Sequence, residues 1–160
     1  MWFFMISCYL LSLATFGMLF LLMMQGYMSL PFLHVPPLVF LIFTSMVYFF
    51  TETSVIFFFV GTGVSVRDYS QEHHLPDDYR QRSLAIKHKL YPPTMLNLLL
   101  MIILFVLPGA VHTGKVPWIA YQYYFIFCLW HFVYTKITQH HCFRENTENI
   151  LAMSGIKRPA

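Results

Sequence analysis

The sequence predicts an all-α membrane protein: four transmembrane helices in a bundle, both termini cytoplasmic, with one short amphipathic cytoplasmic helix between spans 2 and 3. Three observations carry that expectation. The hydrophobic share is 58% and the charged share 11%, where soluble domains carry about 25% charge. Of ten Lys+Arg and seven Asp+Glu, only Glu52 and Lys115 lie outside two stretches, Arg67–Lys89 and Lys136–Arg158. Outside those stretches run segments of Phe, Leu, Met and Tyr long enough for the ~20 residues that a bilayer crossing needs. The 160 residues read as a single integral membrane domain.

The first span covers about residues 2–24 and gives way at Gln25-Gly26. It has no positive leading segment and no small-x-small cleavage site after it, so it reads as a retained helix and not as a removed signal. Pro31 and Pro36-Pro37 then separate it from the second span, about 38–66, because proline closes one helix and suits the first turn of the next. Gly61 and Gly63 near the end of that span leave room for a neighbouring helix. The third span covers about 95–111, and a tight turn through His112–Pro117 leads to the fourth, about 118–139. Trp118, Tyr121, Tyr123 and Tyr124 sit where an interfacial aromatic belt belongs.

Lys and Arg placement sets the orientation. The segment 67–93 holds Arg67, Arg80, Arg82, Lys87 and Lys89, and the tail 140–160 holds Arg144, Lys157 and Arg158. With four spans these segments share a side, and the positive-inside rule makes it cytoplasmic. Within 67–93, Pro76, Asp77 and Asp78 suit a helix start and Lys87-His88-Lys89 its end. Pro92-Pro93 is expected to stop that helix before span three. The tail Phe143–Met153 reads as a continuation of the fourth helix, with Gly155 as its stop.

Glu52 is the most informative residue, a carboxyl group set among aromatics in the middle of a span. Intramembrane ionisable groups are costly and face a bundle interior or a water cavity. Ser45, Tyr48, Glu52, Phe59 and Gly63 share one helical face. Counting ~1.5 Å per residue inward from each span end puts Glu52, Asn97 and His131 at about one depth. Glu52, Asn97, His131 and Tyr48 are therefore the candidate proton- or quinone-contacting residues, with the imidazole as the carboxylate's expected partner. The competing account is that this layer is helix-to-helix adhesion.

Histidines gather at the cytoplasmic ends: His73, His74, His88, His140 and His141 are candidate metal ligands, with carboxylates and Cys142 nearby. Their spacing forms no fixed metal motif, and solvated or headgroup-contacting side chains are the plainer reading. His34 and His112 lie at the opposite boundary, so no pair of axial haem ligands at equal depth is expected within the chain; a partner could contribute one. Cys8, Cys128 and Cys142 form no CxxC pair and read as small buried hydrophobes. Gly61-Thr62-Gly63 lacks the strand and lysine of a phosphate loop. Neither a catalytic triad nor a nucleic-acid partner is indicated by the spacing or by the net charge of +3.

These readings lead to one expectation and two competitors. The chain is expected to be a small accessory subunit of a larger, energy-transducing membrane complex, in contact with lipid and other membrane subunits, with a homo-oligomer as a further arrangement. No cofactor is required by the sequence. The competitors are a membrane-embedded metal-dependent enzyme acting on lipid, and a small ion- or proton-conducting transporter with Glu52 as its titrating group.

Overall fold

A computed structural model describes residues 2–28 and 36–155. Four helices account for nearly all of them: α1 (Trp2–Met28), α2 (Pro37–Glu72), α3 (Asp78–His112) and α4 (Trp118–Met153). Residues 29–35, which include Pro31 and His34, and residues 156–160, with Lys157 and Arg158, lie outside the described residues. Three of the helices, α1, α2 and α3, are long and apolar enough to cross a membrane, which marks an integral membrane protein. α4 is less apolar, with Gln122, His131, Lys136 and Gln139 among its Tyr and Trp side chains.

Each helix is longer than the apolar run within it. α2 has 36 residues, which is about 54 Å at ~1.5 Å per residue, against a hydrocarbon core of ~30 Å. The excess falls at one end, where α2, α3 and α4 carry almost all the charge. α2 continues through Arg67 and Asp68 because Val66 and Ser70 keep its inner face buried. It ends where His74 takes φ +50°, just before Pro76. α4 likewise continues to Met153, and Gly155 follows at φ +70°, the left-handed stop that glycine accepts at least cost.

The expected separate helix between spans 2 and 3 does not occur: residues 78–112 form one uninterrupted α3 that runs through Pro92, Pro93 and Pro108. The prolines remove donors, yet the helix holds because its seam does not break phase. Ser83, Ile86, Leu90, Thr94, Asn97, Met101 and Leu104 are all buried at spacings of three or four. α4 packs along the whole of that seam, and the Thr135 hydroxyl donates to the Pro93 carbonyl at 3.5 Å. Ser83, Thr94 and Asn97 take their places in this seam among the apolar Ile86, Leu90, Met101 and Leu104.

The same logic runs through α4. Phe125, Cys128, Phe132, Thr135, Gln139, Cys142, Asn146 and Asn149 are buried and alternate strictly by three and four, the seven-residue period of a left-handed supercoil. Consecutive helices pack closely: α1 on α2, α2 on α3, α3 on α4. Each pair is antiparallel: Thr15 meets Thr51 while Phe4 meets Phe58, Glu52 meets Asn97 while Gly63 faces Lys87, and Leu100 meets Tyr124 while Lys89 meets Glu145. The bundle is therefore up-down-up-down. α2 and α4 are parallel across its diagonal, with Tyr48 against Phe132 and Phe58 against Phe143.

Two apolar clusters fill the interior. One contains Leu19, Leu41, Tyr48, Leu104, Phe125 and Phe132; the other contains Cys8, Val55, Phe59, Leu90, Cys142 and Phe143. The polar layer lies between them. Leu90→Ala, at a site with no exposure, is expected to cost about 2–5 kcal/mol. Leu84→Ala, on the open side of the same helix, is expected to cost less than about 0.5 kcal/mol. Thermal unfolding of the two variants in detergent measures the difference.

Candidate functional site

Every helix contributes to the layer that separates the two clusters: Thr15 from α1, Thr51 and Glu52 from α2, Thr94 and Asn97 from α3, and His131, Thr135, Lys136 and Gln139 from α4. All but Lys136 are buried, and Thr15, Thr51, Glu52, Thr94 and Thr135 have no exposure. The Lys136 side chain is 17% exposed. This composition inverts that of a soluble bundle. Side chains such as Leu13, Met46, Val106 and Trp130 face outward, while the polar groups face one another.

Glu52 is the centre. Its Oε1 accepts from Asn97 Nδ2 at 2.8 Å and lies 2.9 Å from the Lys136 ammonium. Its Oε2 accepts from Gln139 Nε2 at 2.7 Å. The carboxylate thus meets a cation and two amide donors in a space closed to water, the conditions under which a buried charge is tolerable. Gln139 works in both directions: its Oε1 accepts from Lys136 Nζ at 2.9 Å and its Nε2 also reaches Thr94 Oγ1 at 3.3 Å. Lys136 further sits 4.9 Å above the Phe132 ring, a cation–π contact.

A second tier extends from Asn97. With its amide nitrogen aimed at Glu52, its oxygen faces His131 Nδ1 at 3.1 Å. That pairing requires the imidazole to donate from Nδ1. The Tyr48 hydroxyl donates to the Asn97 carbonyl at 3.2 Å. On the other side of the bundle Thr15 and Thr51 hydroxyls join α1 to α2 at 2.9 Å. Tyr124 donates to the Leu100 carbonyl at 3.0 Å and fastens α4 to α3 one turn further out.

Glu52, Asn97, His131 and Tyr48 are therefore brought into one network, although His131 is not the carboxylate's direct partner. The counter-charge is Lys136, and with Gln139 it is the part that sequence reasoning missed. A count inward from span ends places Phe132 opposite Glu52. The observed partners lie one to two turns further along α4, because their long side chains lean toward the helix N-terminus and reach back to the carboxylate. A signal was present. Lys136 is the one cation inside an expected span, and a buried carboxylate calls for a cation.

The candidate metal ligands stay apart. His73 stacks on Tyr69 with ring centroids 4.0 Å apart. His88 is exposed on α3, and His140 Nδ1 pairs with the Tyr9 hydroxyl at 2.8 Å. His140 and His141 rings are 6.0 Å apart, and His74 lies in the turn that ends α2. Among the described residues no group of three or more His, Cys, Asp or Glu side chains could hold a metal ion. The three cysteines are buried and unpaired. Gly63 faces Lys87 and Ser83 of α3, whereas Gly61 meets no neighbouring helix. Compared with protein-family models, curated proteins and solved structures, the chain matches none.

Two predictions follow from the geometry of the pair. Glu52→Gln leaves the half-buried Lys136 ammonium, and Lys136→Met the buried carboxylate, without its counter-charge; each is expected to cost about 3–5 kcal/mol, the first less than the second. The double variant is expected to recover most of that loss, as a double-mutant cycle in unfolding free energy would record. Among the amide and imidazole partners, Asn97→Leu removes a bond to the carboxylate and is expected to cost about 1.5–3 kcal/mol. His131→Phe, which touches Glu52 only through Asn97, is expected to cost less in the same assay.

Proposed function

We propose that the protein is an integral membrane subunit that crosses the bilayer four times, both termini cytoplasmic, and serves as an accessory part of a larger membrane assembly. The observation that carries this reading is that neighbouring helices hold both oxygens of Glu52. Both carboxylate oxygens are occupied by donors from α3 and α4, so the group clamps three helices into one register. A carrier that loads and releases protons would need an oxygen with a changeable partner or a water path.

The outer surface supports the same reading. Phe3, Leu13, Met46, Tyr123 and Val106 stand far out from the bundle, and such side chains suit acyl chains or the helices of another protein. Five-residue turns join α2 to α3 and α3 to α4, which leaves little polar mass at those turns for a soluble substrate. α4 belongs with the spanning helices in this reading because it is antiparallel to α3 along the latter's full length. Its polar residues are the ones turned inward. The charged extensions of α2, α3 and α4 then lie on the cytoplasmic side, in keeping with the Lys and Arg bias.

Extraction of the tagged protein from its native membrane in mild detergent is expected to yield one larger particle with other membrane proteins in fixed ratio. A chain that migrates alone, or only with copies of itself, overturns the subunit reading. The topology has its own check: a cysteine placed at Lys115 is expected to react with an impermeant thiol reagent from outside intact cells. A cysteine placed at Ser154 is expected to react only after the membrane is opened.

A further inference from the structure

Among the described residues, one half-buried cation is left unanswered by the bundle. Arg67, Lys89, Lys136 and Arg144 each meet a carboxylate. Of the cations that do not, Arg80, Arg82 and Lys115 are exposed, whereas Lys87 is half-buried. It leans from α3 across the α2 backbone at Gly63, and its Nζ and Cε fill the space that a Cβ there would need. The charge that bears on it is the like charge of Arg67, one turn further along α2. Arg67 meets the adjacent Asp68 at 2.9 Å in an exposed pair. Such a pair is weak, and the guanidinium keeps N–H groups to spare.

Ser83 is a second unanswered group. It is 5% exposed, and its Oγ lies 3.4 Å from where a Gly63 Cβ would stand, so it faces the same cleft. Ser45, Ser54 and Ser65 donate to the carbonyl one turn back in their helix. The Ser83 hydroxyl has no hydrogen-bond partner among the described residues, and a buried donor without an acceptor is costly. Two helices thus aim donors at one opening. The occupant that fits is an anion with several acceptor oxygens, and Arg with Lys suits phosphate. Depth selects its source. Arg67 is the first charged residue of α2 after Glu52, and α3 has no Lys, Arg, Asp or Glu after Lys89. The cleft therefore sits where the apolar runs give way, the level of phospholipid head groups in the four-span reading. Basic pockets between spanning helices on the cytoplasmic side bind anionic head groups. Val60, about one turn nearer the bilayer centre, faces outward toward acyl chains.

We propose that the cleft between α2 and α3 at Gly63 binds the phosphate of an anionic phospholipid, with Lys87 and Arg67 supplying charge, Ser83 a hydroxyl donor, and the acyl chains descending past Val60. Gly63 is the cradle, since any side chain there would push the ammonium out. A zwitterionic head group is the poorer fit, because it brings a cation to a site that already holds two. The inference goes beyond the subunit role and takes from that reading only the depth of the cleft.

The test titrates the purified full-length chain, in a neutral detergent, with phosphatidylglycerol and counts bound lipid by native mass spectrometry. Phosphatidylglycerol is expected to bind more tightly than phosphatidylcholine. Lys87→Gln is expected to weaken it about fivefold, the share of one cation near the membrane surface. Arg82→Gln, at an exposed cation of the same helix, is expected to leave it unchanged. Gly63→Ala keeps every charge but displaces Lys87 from the cleft, and is expected to weaken binding as much as Lys87→Gln. Gly61→Ala, whose Cβ meets no neighbour, is expected to have no effect. Circular dichroism and gel filtration establish that the variants keep the fold. Equal affinity for the two lipids, equal losses at Lys87 and Arg82, or unchanged binding by Gly63→Ala each overturns the proposal. So does displacement of the lipid by inorganic phosphate at equal concentration, which would make the ligand a free anion. Loss of co-extracted subunits from Lys87→Gln with lipid binding unchanged assigns the cation to a partner's carboxylate and likewise overturns it. Because lipid binding is read on the purified chain alone, failure here leaves the subunit reading to its own experiment.

Discussion

The architecture turns on a single requirement: a carboxylate enclosed by packed helices must have both of its oxygens answered by the protein. Water cannot do so at Glu52, which has no exposure. Three side chains from two other helices answer instead, and each reaches the carboxylate only if its helix stands at the right height and rotation. A slide of α4 by one turn would take Lys136 and Gln139 away and present apolar or hydroxyl groups to an unpaired charge. The ion pair contributes little net stability in such a setting, since desolvation offsets most of the attraction. What it contributes is register.

That requirement also accounts for the layering. Apolar packing between helices is weakly directional, because lipid tails offer almost the same contact. The two apolar clusters on either side of the polar layer would tolerate several alignments on their own. With the layer in place, the strict three-four alternation on α4 and the matching seam on α3 come into phase, and they carry that phase through Pro92 and Pro93 into the charged extensions. There Asn149 donates to the Tyr79 carbonyl at 3.0 Å, and Lys89 meets Glu145 at 3.1 Å, so the extension follows the same alignment as the buried part.

Much of this was legible in the residues and some was not, for identifiable reasons. The helices are visible because apolar runs of that length permit little else. Glu52 is visible because it is a carboxyl group amid aromatics, and depth counting brings Asn97 and His131 to its level. Lys136 was obscured by position: it lies close enough to Arg144 to be read with the tail, and its reach cannot be deduced from the height of its Cα. Continuity of α3 was obscured by the pair of prolines, whose local preference for ending a helix was overridden by packing along α4. Ser83 and Thr94 hid the seam, since a search for large apolar residues passes over them. The looser packing of α1 on α4 has no sequence signature at all, because it follows from how two helices distant in the chain come together.

The order of the chain gives the position of Lys136 a consequence for biosynthesis. Ribosomes deliver α2 to the membrane well before α4 exists, so Glu52 enters the bilayer with neither its cation nor the Gln139 amide. An acidic residue at the centre of an inserting helix is costly, and here the side chains that offset the cost come last, with α4. The burial of Glu52 is therefore completed only when the final helix is laid against the other three.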